Sequence, residues 1–138
     1  MSQQDTKTHP GAAWSAFVRT NGSAQFEAAF SEGATLQASA LERPLVGAKR
    51  IGTFFAATSG GMYEKLSFES EATVGPVTYY QWAGRAFGLD LRGVTVVTRD
   101  ANGKIQSIRL FHSPYPVVVK FADELAKRIG RVPTPSPR

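Results

Sequence analysis

The chain has 138 residues, 42% of them hydrophobic and 20% charged, which is the length and balance of one globular domain with a sizeable core. It has no cysteine and only two histidines, so disulfide staples, zinc ribbons, thiol nucleophiles, iron–sulfur ligation and a His-rich metal site are excluded, and neither metal nor cofactor is expected. The net charge of +5 arises late, since residues 1–98 hold 8 Lys and Arg against 8 Asp and Glu while residues 99–138 hold 8 against 3. These bases alternate with acids or stand singly on strands, without the basic and aromatic clusters of a nucleic-acid surface.

Residues 1–11 are polar, end in Pro10-Gly11 and lack the apolar stretch of a secretory leader. They are expected to form a flexible tail. No apolar run approaches the ~20 residues of a membrane span, so a cytoplasmic protein without membrane contact is expected. Trp14, Phe17 and Val18 recur at helical spacing up to Asn21-Gly22, and Ser23 then caps a second short helix carrying Phe26 and Phe30. Ala34 to Ser39 reads as a strand. A helix follows from about Ala48 to Thr58, carrying Ile51, Phe54 and Phe55, and Ser59-Gly60-Gly61 ends it.

From Tyr63 the period changes to two, with strands near 64–74, 77–87, 90–99 and 104–112 separated by Gly75-Pro76, Gly88 and Asn102-Gly103. This is an antiparallel meander. A last helix over about 116–129 sets Val117, Phe121, Leu125 and Ile129 four apart on one stripe, which must dock on something apolar. Residues 131–138 contain three prolines and read as a second flexible tail, leaving 12–130 as the single domain. Helices gathered at the start and around one curved antiparallel sheet give an α+β fold.

Asn102-Gly103 favours a two-residue type I′ turn, which fixes register by setting Ala101 opposite Lys104. Counting outward, Val97 faces Ile108, Thr95 faces Leu110 and Gly93 faces His112 on one side of the sheet. Val94 with Phe111, Val96 with Arg109 and Thr98 with Ser107 share the other. A glycine opposite His112 leaves space beside the imidazole, so the first face reads as a pocket wall. The second face is too apolar around Val94, Val96 and Phe111 to be left wet, and a homodimer is expected unless the last helix covers it.

The run Ser31-Glu32-Gly33-Ala34-Thr35-Leu36-Gln37-Ala38-Ser39, followed by Gly47 and Ile51-Gly52-Thr53-Phe54-Phe55, resembles a motif of the nuclear transport factor 2-like superfamily, in its ketosteroid isomerase-like and SnoaL-like branches. So does Asp100-Ala101-Asn102-Gly103-Lys104-Ile105-Gln106-Ser107-Ile108-Arg109. The resemblance spans about residues 12–113 and implies a cone-shaped pocket, with the curved sheet wrapped around the N-terminal helices and a C-terminal helix added. Carried over by residue, the isomerase's general base falls on Ala38, its oxyanion-donating acid on Thr95, and its tyrosines on Phe30, Phe55 and, near a gap, Phe17. Base and acid are both missing, so ketosteroid isomerase chemistry is not expected.

The same resemblance puts Tyr80, Trp82, Ile108, Leu110 and His112 on the cone's inner face, in agreement with the register counted from the turn. The expected ligand-binding residues are therefore Trp14, Phe17, Phe30, Phe55, Tyr80, Trp82, Thr95, Val97, Ile108 and Leu110, with His112 as the candidate catalytic acid/base. The leading expectation is a binder of a small apolar or aromatic molecule. The alternatives are a cofactor-independent lyase, isomerase, cyclase or hydrolase using His112, and a non-catalytic dimerisation module whose cone is simply packed.

Overall fold

The computed structural model describes residues 9–130; the expected tails at 1–8 and 131–138 lie outside them. Four helices and six strands follow in the order α1 (Ala12–Val18), α2 (Ala24–Ala28), β1 (Phe30–Ala38), β2 (Leu45–Val46), α3 (Ala48–Ser59), β3 (Lys65–Val74), β4 (Val77–Ala86), β5 (Leu89–Arg99), β6 (Ile105–Ser113) and α4 (Tyr115–Ile129). The strands form one curved sheet in the order β2-β1-β6-β5-β4-β3. The meander from β3 to β6 is antiparallel as its period indicates, while β1 lies parallel to β6.

Phe30 belongs to β1 and not, as its spacing from Phe26 suggests, to α2. Ser23 does cap α2, its Oγ accepting the Phe26 N–H at 3.1 Å. The helix ends at Ala28 because the next carbonyl, that of Ala29, accepts the Ile105 N–H at 2.9 Å, and Ser31 Oγ donates to the Ile105 carbonyl at 3.1 Å. These bonds draw the chain alongside β6. Tertiary pairing overrides a short helical pattern here.

The turn after β5 is also built differently from the type I′ expectation. A type I′ turn needs positive φ at both central residues, yet Gly103 adopts φ +80° and Asn102 does not have positive φ. Asp100 closes the turn instead, its carboxylate accepting the N–H groups of Asn102 and Lys104 at 2.9 and 3.0 Å while its backbone N–H donates to the Lys104 carbonyl at 2.8 Å. This would shift the pairing by one residue. A bulge at Gln106 restores it, and from Thr98↔Ser107 through Gly93↔His112 the register is the one counted from sequence.

The aromatic residues of the N-terminal helices pack into the concave side of the sheet. Phe17 stacks on Phe26 with centroids 4.8 Å apart, Phe26 meets Phe30 at 4.9 Å, and all three rings sit against the start of β6. At the other end α4 crosses the same concave side: Val117 packs with Trp82, Ala86 and Leu91, and Phe121 meets Tyr63 at 5.2 Å. The last helix therefore covers the inner face and leaves the outer one open, with Tyr79 and Phe111 43% and 49% exposed. Arg128 fastens α4 to α3, its Nη1 donating to the carbonyls of Ala57 and Gly60 at 3.2 and 2.7 Å.

Candidate ligand site

The site is built around Trp82. This residue lies on the inner face of β4 opposite Gly93 of β5, and its indole lies across the glycine: a Cβ at position 93 would fall inside the six-membered ring's van der Waals envelope. The space that the sequence suggests beside His112 is thus occupied by Trp82. Gly93 is required there for the close approach of the ring. Two residues along β5, Thr95 Oγ1 accepts the Trp82 Nε1–H at 3.0 Å, and both side chains are 2% exposed. The indole's one donor is satisfied inside an apolar wall, as burial demands.

Beside this floor a cleft of about 490 Å³ opens between α1, the C-terminal half of α3 and β3. Trp14 of α1, Phe54, Phe55 and Thr58 of α3, Tyr63 before β3, and Phe68 of β3 form its walls over a floor of Trp82, Thr95 and Leu110. The rings brace one another. Phe55 meets Trp14 edge to face at 5.9 Å, Phe54 meets Phe55 at 5.3 Å, and Trp14 stacks on Tyr80 at 5.7 Å.

Five of the residues expected from sequence, Trp14, Phe55, Trp82, Thr95 and Leu110, come together around this cleft. Tyr80 and Phe17 flank a smaller hollow of about 170 Å³ that they share with Trp14 and Arg99. Phe30, Val97 and Ile108 are buried in the packed core and line neither. Phe54, Thr58, Tyr63 and Phe68 are wall residues that the expected binding set left out. Phe68 carries a legible signal, because period two from Leu66 gives both one face of β3 and its partner in register is Trp82.

His112 faces Gly93 as counted, but it lies beneath α4, outside the cleft lining. Its ring centroid is 6.1 Å from that of Trp82 and 5.2 Å from that of Phe121, and its backbone N–H donates to Ser39 Oγ at 3.1 Å. Nε2 is buried and has no hydrogen-bond partner among the described residues. Burial lowers the imidazole pKa from 6.5 to about 4, so the ring is neutral near pH 7. Burial also raises the Tyr63 phenol, which keeps its proton at neutral pH.

The cleft lacks the groups that steroid isomerisation needs. Ala38 stands where the general base would be, paired with Leu110 across β1 and β6, and Thr95 is engaged by Trp82. The one carboxylate at the cleft belongs to Glu64, whose Oε2 accepts the Gly88 N–H at 2.9 Å and whose Oε1 lies 3.6 Å from Arg85 Nε. Among the described residues no three His, Asp or Glu side chains gather as a metal site. What the arrangement offers is an apolar enclosure with a hydroxyl and a phenol on its walls.

No protein-family model and no curated protein sequence matches the chain. Solved structures do match it in shape. A steroid delta-isomerase from Pseudomonas aeruginosa superposes with a TM-score of 0.75 at 14% identity, covering 86% of this chain and 87% of that one. An uncharacterised conserved bacterial protein with a cystatin-like fold, from Silicibacter pomeroyi, gives 0.74 at 18% identity over 89% and 87%. A hypothetical protein of ketosteroid isomerase-like fold from Catenulispora acidiphila, solved in complex with trimethylamine, gives 0.56 at 12% identity over 80% and 91%.

Proposed function

The chain has the nuclear transport factor 2-like fold, and from that premise we propose that it binds a small apolar or aromatic molecule in the cleft, without ketosteroid isomerase chemistry. The observation that carries this reading is a cleft of about 490 Å³, within the size range of small-molecule sites, walled by aromatic rings over a floor in which the Trp82 indole N–H is paired with Thr95. Fold alone does not assign an activity. The absence of a carboxylate at Ala38 and of an acidic donor at Thr95 argues against proton abstraction by the isomerase route.

The test is titration with N-phenyl-1-naphthylamine, a neutral probe that fluoresces in apolar sites. Saturable binding is expected, and Ser15→Trp, which adds bulk at the cleft's lip, should weaken it at least tenfold. Unaltered binding by that variant moves the site elsewhere. Ala38→Asp alone should yield no isomerisation of a 3-ketosteroid, since a threonine hydroxyl, not a carboxylic acid, stands at position 95 to face the oxyanion.

One observation favours a second reading, an enzyme that uses His112: the buried, neutral and unpartnered Nε2 is a proton acceptor without an assigned role. Its position behind Trp82 requires substrate to reach it under α4. His112→Ala with lost probe binding and an unchanged melting temperature supports this reading, whereas a large fall in melting temperature with binding intact marks the ring as packing. The exposed outer face supports a homodimer, with Phe111, Tyr79 and Val94 at its centre and the Arg109 guanidinium 5.9 Å from the Phe111 ring. Light scattering should report twice the chain mass at micromolar concentration, and Phe111→Glu should return the monomer.

A further inference from the structure

Tyr63 brings to the cleft a polar atom that the fold itself does not use. The Tyr63 ring is wedged between Trp82, edge to face at 5.9 Å, and Phe121 at 5.2 Å, while the next residue's backbone is fixed by the Glu64 N–H donating to the Arg85 carbonyl at 2.8 Å. The phenol is thus held in place. Among the described residues its hydroxyl has no hydrogen-bond partner, yet the polar side-chain atoms that are both unpartnered and sealed from solvent are Arg43 Nε and His112 Nε2. The Tyr63 hydroxyl therefore ends in accessible space, and the cleft is the space that Tyr63 lines. Burial raises its pKa, so it stays protonated and able to donate. The threonine hydroxyls of the lining are already in hydrogen bonds, Thr58 donating to the Phe55 carbonyl at 3.4 Å and Thr95 accepting the Trp82 N–H at 3.0 Å. Ser15 is half-buried and Ser59 exposed, so water competes for both.

Resting on the reading of the cleft as a ligand site, we infer that its ligand is an uncharged aromatic or alicyclic molecule bearing one acceptor oxygen, as in a ketone, ester or ether, and that Tyr63 selects it by donating the phenol O–H to that oxygen. A hydrocarbon that covered Tyr63 would strip the hydroxyl of water and leave the donor unmade, whereas an acceptor oxygen at the same place keeps the bond. An ionised carboxylate is the competing chemistry. It fits less well because the apolar surroundings that disfavour a phenolate at Tyr63 disfavour a carboxylate beside it.

Three probes that share a naphthalene body separate these cases: 2-acetylnaphthalene, its oxygen-free isostere 2-isopropenylnaphthalene, and 2-naphthoate, each competed against N-phenyl-1-naphthylamine on the full chain at pH 7.5. Tyr63→Phe keeps the ring contacts and should melt within a few degrees of the parent. It should weaken the ketone relative to the isostere about fivefold, the size of one neutral hydrogen bond, with the isostere bound at least as tightly as before. Ser15→Ala should leave that ratio within about twofold, and naphthoate should bind the parent more weakly than the ketone does. A ratio unchanged by Tyr63→Phe, a ratio lowered by Ser15→Ala instead, or tightest binding by naphthoate overturns the inference while leaving the cleft as a ligand site. Failure of all three probes to bind overturns both.

Discussion

The two ends of the cone use the same kind of residue for opposite results. At the end nearest the β5–β6 turn, Phe17, Phe26 and Phe30 fill the concavity ring on ring, and Phe26 has no exposed surface. Toward α4, Trp14, Phe54, Phe55, Phe68 and Trp82 are as aromatic but enclose about 490 Å³. The difference lies in the second layer. At the filled end α1 and α2 both press rings onto the sheet, whereas farther along α2 is absent and α1, α3 and the edge strand β3 stand around an open space. Aromatic content alone cannot separate a core from a pocket.

The largest expected effect sharpens this contrast. Phe26→Ala should cost about 4 kcal/mol, because the cavity it leaves is sealed by neighbouring rings. Phe54→Ala removes the same side chain beside a cleft that is already open, so the lost volume merges with accessible space and the cost should be about 2 kcal/mol. Urea denaturation of both variants checks the difference. Equal losses would show that the cleft behaves as sealed core.

Next comes the floor of the open end. Gly93→Ala should destabilise by about 3 kcal/mol, since the new methyl group overlaps the Trp82 indole and must displace it from Thr95. Movement of the indole should also shift the intrinsic tryptophan emission. A stable variant with unchanged emission would mean that the ring is loosely held and the floor is not preformed.

Much of this architecture is legible in the sequence because it rests on periodicity. The period of two in the meander, the caps of α2 and the four-residue spacing of Val117, Phe121 and Leu125 are local signals that the packed structure keeps. The inner-face register is legible as well, although for an incomplete reason, since the bulge at Gln106 offsets the longer turn. The parallel pairing of β1 with β6 left no such trace, because it depends on contacts about 70 residues apart, as between Gln37 and Arg109. Nor did the position of Trp82 over Gly93. A glycine facing a histidine shows that room exists, but which neighbour fills it is decided by side chains from a third strand.

His112 tests the sealed side of the open end through pH. The imidazole titrates at about 4 in the folded chain against 6.5 ordinarily. Between those values the unfolded chain binds a proton that the folded chain refuses, so this contribution is fully present above pH 6.5 and is lost as pH falls toward 4. The loss is at most about 3 kcal/mol. Stability measured against pH should therefore be flatter across that window in His112→Gln than in the parent. Parallel curves would place the imidazole in water and α4 away from it.

The smallest effects concern the two turns, one at each end. Phe87-Gly88 at the α4 end has positive φ at both residues, 56° and 71°, which is the type I′ pattern, and the Phe87 ring lies 6.4 Å from Phe121. The sequence suggests that turn at Asn102-Gly103, but the filled end uses the Asp100 carboxylate instead. Asp100→Ala should therefore cost about 1–2 kcal/mol by freeing two backbone N–H groups, while Asn102→Ala should change stability by less than about 0.5 kcal/mol. A type I′ turn would reverse that order, because alanine at a position of positive φ is strained and the Asp100 side chain would hold nothing. Thermal melts of the two variants, a few degrees apart if the Asp100 turn is correct, decide which residue closes the filled end.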